Sequence, residues 1–176
     1  MKGTPQGMKD HIEIERKYII AMPDVTAIQG EPDYTASDIV QIYLNSAPHV
    51  THRVRSRTKG GVTKYTETKK VRISGMSAYE DEREITEAEF LTLCEDVAKD
   101  TTPVIKTRHT FTYRGQLFEI DIYPNWKSTA IMETELPSED TVVEIPAFIK
   151  IIKEVTGIKA YSNASMSRAF PNEITE

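Results

Sequence analysis

Charged residues occupy every second position in a segment near the start of the chain, and this alternation constrains the fold more than any other feature. The segment 12–18 reads IEIERKY, with Glu13, Glu15 and Lys17 at alternate positions. Because alternate side chains of a β-strand share a face, the segment predicts a strand that presents two carboxylates and an ammonium group on one side. Such a face can hold a hard divalent cation with a phosphate oxygen beside it.

The same spacing of like charges recurs in later segments. It is found at Arg53/Arg55, Glu80/Glu82/Glu84, Lys106/Arg108, Glu119/Asp121 and Glu133/Glu135. An ordinary sheet would turn these charges to water, whereas a closed barrel would line its interior with them, and alternation alone does not choose between the two. Like charges along one strand repel each other unless counter-ions neutralise them. A ligand with several phosphates, bound together with a divalent metal, would satisfy the basic and the acidic strands at once.

Turn and helix signals divide the remainder of the chain into seven or eight strands and two helices. The pairs at 60–61 and 114–115 are typical of β-hairpin turns. Thr86 with Glu89 three residues later predicts a capped helix start, and Pro146 predicts the first turn of a second helix. Residues 24–37 are polar and are interpreted as a loop.

Bulk properties indicate one ordinary domain. Of the 176 residues, we expect 11–170 to form a single domain and 1–10 to be a disordered or vector-derived tail. The net charge of −5 argues against a general nucleic-acid binder. No apolar run approaches the roughly 20 residues that span a bilayer, and the single cysteine, Cys94, is compatible with a reducing cytoplasm.

The ordered series of motifs resembles the CYTH superfamily, also called the triphosphate tunnel metalloenzymes, and in particular its short bacterial inorganic triphosphatase-like branch. The resemblance runs over about residues 12–168. It rests on EIERK, QIYL, HRVRSR, YTETKK, YEDEREI, IKTRH, FEIDIY, METEL and KAYSN, in that order. It implies an α+β, mainly β domain: an eight-stranded antiparallel closed β-barrel, the triphosphate tunnel, with flanking helices.

The resemblance also implies roles for individual residues. The catalytic residues would be Glu13, Glu15, Lys17 and Glu133. The phosphate-binding residues would be Lys17, Arg53, Arg55, Lys70 (preferred to Lys69), Lys106, Arg108 and Lys159. A Mg²⁺ or Mn²⁺ cofactor would be bound by Glu13, Glu15, Asp121, Glu133 and Glu135. The tunnel lining would also include Glu80, Glu82 and Glu119.

The function that the resemblance implies is metal-dependent hydrolysis of a linear triphosphate, with inorganic tripolyphosphate favoured. A class IV adenylate cyclase-like activity, a thiamine triphosphatase activity and a polyphosphate-binding module without turnover are the alternatives. The expected partner is a small-molecule triphosphate, in the cytoplasm, with no nucleic acid and no membrane. A homodimer is a possible assembly.

Overall fold

The structure, a computed structural model, describes residues 12–176, and the tail predicted at residues 1–10 lies outside that range. Its strands are β1 (Ile12–Ala21), β2 (Thr35–Leu44), β3 (Val50–Lys59), β4 (Val62–Arg72), β5 (Ser77–Ile85), β6 (Val104–Tyr113), β7 (Gln116–Ile122), β8 (Thr129–Glu135) and β9 (Ile151–Glu154). Its helices are α1 (Val25–Gln29), α2 (Glu87–Leu93) and α3 (Asn163–Met166), and 3₁₀ turns cover Cys94–Asp96 and Lys159–Tyr161.

Strands β1 to β8 close into an antiparallel barrel, as predicted. The hydrogen-bonded order is β5-β4-β3-β2-β6-β7-β8-β1, and β5 also pairs with β1. Strand β1 makes the closure: residues 12–14 pair with β5 on one side, and residues 15–21 pair with β8 on the other. The ninth strand, β9, pairs with residues 18–20 of β1, along the edge of β1 that β5 pairs with only at residues 12–14.

The local signals at two hairpins and one helix start are confirmed. Gly60 and Gly61 both have positive φ, 56° and 78°, as do Arg114 and Gly115, at 47° and 78°. Positive φ at both central residues is the geometry of a two-residue hairpin that matches the twist of its strands. Helix α2 begins with the predicted capping box, in which the side chains and backbones of Thr86 and Glu89 exchange hydrogen bonds.

Two predictions of secondary structure are wrong. The predicted helix does not begin at Pro146; the chain makes a turn there, with the Ile149 amide donating to the Pro146 carbonyl, and then enters β9. The apolar spacing fits a strand equally well, because Ile151 and Ile152 pack against two different clusters on opposite sides. Residues 24–37 are not all loop, since α1 and the start of β2 lie within them.

Apolar residues cover the outside of the barrel and also fill one end of its interior. Outside, Tyr18 and Ile20 belong to a buried cluster with residues of β6, β7 and β8. Inside, one cluster, here called the inner plug, consists of Ile19, Tyr43, Val104, Tyr123, Trp126, Ile131, Val155, Tyr161 and Met166. Within residues 12–176, no helix has the length and apolar character needed to cross a membrane.

Candidate functional site

The barrel interior beyond the inner plug is a cavity of about 540 Å³, here called the lumen. Strand alternation explains its lining, because the face that carries Ile19 in the plug carries Lys17, Glu15 and Glu13 further along β1. All fifteen residues predicted to form the site line the cavity or, for Asp121, lie against it. They are Glu13, Glu15, Lys17, Arg53, Arg55, Lys70, Glu80, Glu82, Lys106, Arg108, Glu119, Asp121, Glu133, Glu135 and Lys159.

Asp121 is the most deeply buried charge of the lumen, with no exposed surface. It accepts hydrogen bonds from Lys106 Nζ at 2.6 Å, from Arg108 Nε at 2.6 Å and from Arg108 Nη2 at 2.7 Å. Burial alone would raise the pKa of this carboxyl, but the two cations outweigh burial and hold it below its ordinary value. Both carboxylate oxygens of Asp121 are therefore occupied by cations of the protein itself.

Glu133 of β8, which is directly opposite Glu119 in the sheet, is held in the same way. Lys17 Nζ lies 2.8 Å from one of its oxygens, and Arg108 Nη2 donates to the other at 3.1 Å. Arg108 also donates to Glu119. Burial raises the pKa of Glu133, but Lys17 and Arg108 more than compensate, so that the pKa lies well below its ordinary value. Glu133 thus stays ionised, and Arg108 is shared by three carboxylates.

A second acid–base group lies where β1 meets β5. Lys70 Nζ is 2.8 Å from Glu13 and 3.2 Å from Glu80. Burial, together with the neighbouring charge of Glu80, raises the pKa of Glu13 to about 7 against the pull of Lys70. The pKa of Glu80 is lowered despite its burial, because Arg53 acts on it in addition to Lys70. Of the two carboxyls, Glu13 is the one that gains a proton near neutral pH.

The arginines of β3 are only partly satisfied by the protein. Arg53 lies 3.5 Å from Glu80, and Arg55 lies 3.1 Å from Glu82. The Nε atoms of both arginines are buried and have no hydrogen-bond partner among residues 12–176. An unpaired buried donor is costly, so these two groups mark positions where an external acceptor would be stabilised.

Two carboxylates of the lumen form no ion pair within residues 12–176, although the charges of Lys17 and Lys70 act on one of them, Glu15. Glu15 of β1 and Glu135 of β8 are directly opposite each other in the sheet, and neither forms an ion pair within the described part of the chain. Directly opposed like charges are destabilising. Across residues 12–176, no three side chains of the metal-binding types converge on one point, so this pair is the donor set that best fits a cation taking its other ligands from phosphate and water.

The structure places two neighbouring lysines of β4 on opposite faces of the strand. Lys70 lines the lumen, whereas Lys69 is exposed and pairs with His52 in the register of the outer face. The site predicted from the sequence did not include Gln41, Tyr43 and Arg57, which also line the lumen. The signal was present, since Arg57 continues the alternation of Arg53 and Arg55 along β3.

Comparison with solved structures shows what this chain is similar to. The crystal structure of the inorganic triphosphatase NE1496 matches with 28% sequence identity and a TM-score of 0.58, over 91% of this chain and 97% of that one. The PH1819 protein from Pyrococcus horikoshii OT3 matches at 19% identity with a TM-score of 0.54, over 73% of this chain and 80% of that one, and this likeness shows the fold alone. Neither protein-family models nor curated proteins give a match.

The match to the inorganic triphosphatase extends over nearly the whole of both chains. The fold and this likeness are consistent with the CYTH superfamily that the series of motifs resembles. The lumen is the cavity where basic and acidic strand faces meet, and the site residues implied by the resemblance lie on those faces. Their individual roles stay predictions.

Proposed function

We propose that this protein hydrolyses a linear triphosphate in its lumen with the help of Mg²⁺ or Mn²⁺, and that inorganic tripolyphosphate is its preferred substrate. The observation that carries the proposal is the convergence of cations from separate strands on one cavity. Those cations are Lys17, Arg53, Arg55, Lys70, Lys106 and Arg108. The similarity to an inorganic triphosphatase over most of the chain supports the same reaction class.

The ion pairs of the lumen explain how a polyanion would be accommodated. Arg53 and Arg55 contact Glu80 and Glu82 at 3.5 Å and 3.1 Å, which are loose contacts compared with the 2.6 Å contacts deeper in the lumen. A phosphate oxygen can accept from the free Nε of each arginine and add a bidentate, charge-assisted contact. Binding therefore requires little rearrangement of the deep cations and strengthens the partly satisfied ones.

The acidic residues would bind the metal at the opposite wall. Glu15 and Glu135 would hold the ion, with Glu13 near by. A bound divalent ion would neutralise phosphate charge and provide Lewis acidity. Glu133 and Asp121 are ionised and engaged with cations, so their contribution is to orient Lys17, Lys106 and Arg108 toward the phosphates.

The reaction then needs little covalent chemistry from the protein. Phosphoryl transfer is promoted mainly by holding the chain of phosphates in place and by stabilising the charge that develops on the oxygens. Lys17 lies between the plug and the carboxylates of β1, and its side chain is only 12% exposed. A cation held in a water-poor position interacts more strongly with a phosphate oxygen than one at the surface does.

A substrate panel tests the proposal. Purified protein is assayed with tripolyphosphate, ATP and thiamine triphosphate side by side, each with Mg²⁺, with Mn²⁺ and in EDTA. We expect phosphate release from tripolyphosphate that requires metal and that collapses in Glu13→Ala and in Glu133→Gln. The control, Glu144→Gln, alters a surface carboxylate paired with Arg114 and should behave as the wild type.

The same panel distinguishes the other functions. Full activity in EDTA would contradict metal dependence. Cyclic AMP formed from ATP would favour the cyclase-like reaction, and preferential hydrolysis of thiamine triphosphate would favour an organic substrate. Tight calorimetric binding of tripolyphosphate without phosphate release under any metal condition would favour a polyphosphate-binding module.

A further inference from the structure

Strand β3 carries a third arginine that lines the lumen and that the predicted site leaves without a role. Arg57 lies on the same face of β3 as Arg53 and Arg55 and lines the same cavity. In the register with β2, Arg53 is opposite Tyr43 of the inner plug, and Arg57 is opposite Ile39, four residues further from the plug. The three arginines thus form a ladder that leads away from the closed end of the lumen.

Arg57 differs from the other two arginines in its partners. Its Nε donates to the Ser37 hydroxyl at 2.8 Å, and within the residues that the structure describes its two terminal nitrogens contact no carboxylate. Two carboxylates of β5 contact the other two arginines, and the next acidic residue in this series on β5 is Glu84, but Glu84 pairs with Lys64 at 3.4 Å. Arg57 therefore offers an uncompensated positive charge to the lumen.

The charge of Arg57 acts on its neighbour as well. The pKa of Arg55 is lowered, first by burial and then by like charges that include Arg53 and Arg57. A row of three guanidinium groups is therefore under mutual repulsion, and the carboxylates of β5 neutralise only the inner two. An anion that reached all three would relieve that repulsion.

The length of the ladder decides which anion fits. Alternate residues of a strand are about 6.7 Å apart, so the ladder from Arg53 to Arg57 spans about 13 Å. The inner two arginines, with Lys17, Lys106 and Arg108, already surround the space assigned to a triphosphate. Arg57 is the arginine farthest along β3 from the inner plug, and its guanidinium has planar, bidentate donors suited to one further phosphate.

We propose that Arg57, with the Ser37 hydroxyl fixing its Nε, forms an outer subsite for a fourth phosphate, so that linear inorganic polyphosphates longer than tripolyphosphate bind more tightly than tripolyphosphate does. The inference rests on the proposed function, because it extends the same phosphate-binding track. The outer subsite requires only that the bound polyphosphate has one more phosphate group than tripolyphosphate.

Binding calorimetry in EDTA tests the subsite separately from hydrolysis. The titrants are tripolyphosphate and tetrapolyphosphate, and the proteins are the wild type, Arg57→Gln and Arg57→Lys. We expect the wild type to bind tetrapolyphosphate about tenfold more tightly, Arg57→Gln to lose this preference, and Arg57→Lys to keep part of it, because lysine retains the charge but not the planar fork. Arg114→Gln, which removes an exposed arginine of the outer surface, should keep the full preference.

Three results would overturn the subsite: equal binding of tripolyphosphate and tetrapolyphosphate by the wild type, no measurable binding of either polyphosphate, or an unchanged preference for tetrapolyphosphate in Arg57→Gln. Thermal unfolding of each variant checks that it is folded, and Arg57→Lys provides the comparison if Arg57→Gln is not. Phosphate release from tripolyphosphate with Mg²⁺, measured on the same wild-type sample, tests the proposed function independently. A preference for tetrapolyphosphate without hydrolysis would support the subsite and contradict the proposed enzymatic function. Hydrolysis without that preference would support the enzymatic function and contradict the subsite.

Discussion

Replacing Asp121 by asparagine should strongly destabilise the barrel, because two buried cations depend on its charge. Asp121 has no exposed surface and accepts three hydrogen bonds, at 2.6, 2.6 and 2.7 Å, from Lys106 and Arg108. Asparagine has nearly the same shape, so the change removes the charge and one acceptor without opening a cavity. Lys106 then keeps no other ion-pair partner within residues 12–176.

The size of the effect follows from the burial of the pair. Removing one partner of a buried ion pair costs about 3–5 kcal/mol. For a domain of this size each kcal/mol corresponds to about 2–4 °C in Tm, so the midpoint should fall by about 6–20 °C. The matched variant is Glu15→Gln, which neutralises a lumen carboxylate that forms no direct ion pair within residues 12–176 and for which the attraction of Lys17 and Lys70 is opposed by the facing Glu135. We expect its stability to change by about 0.5 kcal/mol or less, or to rise slightly.

Urea unfolding followed by circular dichroism, in EDTA and without polyphosphate, measures both variants under conditions where no metal contributes. The reasoning predicts a large loss of unfolding free energy for Asp121→Asn and none for Glu15→Gln. If Asp121→Asn were as stable as the wild type, its carboxylate would not be required by the cations, and its main role would be the metal binding that the family resemblance implies.

Two further predictions concern the stability of the fold. In urea unfolding, Gly157→Ala should lower the free energy of unfolding by at least about 1 kcal/mol more than Gly115→Ala does. Both glycines have positive φ, 71° and 78°, but only at Gly157 would a Cβ lie 3.0 Å from the backbone of the β4–β5 loop. Equal losses in the two variants would contradict a close approach of the two backbones. Glu67→Gln should reduce the loss of stability in acid. Although burial raises the pKa of Glu67, hydrogen bonds from His52 and Arg83 lower it below 4.5, so its contribution is present above that pH and is lost as the pH falls through the lowered pKa. Parallel pH profiles of the unfolding free energy for wild type and variant would contradict this.

The sequence predicted the faces of the strands well, because alternation depends only on local geometry. Glu13, Glu15 and Lys17 had to share a face once the segment was a strand, and the hairpin glycines fixed the register of two strand pairs. Closure of the barrel was implied by the resemblance and not by the alternation. It depends on β1 pairing with both β5 and β8, which is a contact between distant parts of the chain.

What the sequence could not provide was the pairing of charges across strands. Nothing in the spacing of Asp121 shows that Lys106 and Arg108 occupy both of its oxygens, while Glu15 and Glu135 form no ion pair within residues 12–176. The wrong helix after Pro146 has a related cause. The chain there forms β9 because β1 still has an unpaired edge beyond Ile14, where β5 diverges, and no local pattern reports that edge.

The central claim is that cations inside the barrel bind a linear triphosphate, and tripolyphosphate affinity of charge-reversed variants tests it most directly. Arg55→Glu reverses a charge of the lumen, and Arg114→Glu reverses an exposed charge on the outer surface. Calorimetry at two salt concentrations should show binding weakened at least about a hundredfold in Arg55→Glu, the size expected when attraction becomes repulsion at a partly buried site, and unchanged in Arg114→Glu. Equal affinity of the two variants would contradict binding in the lumen.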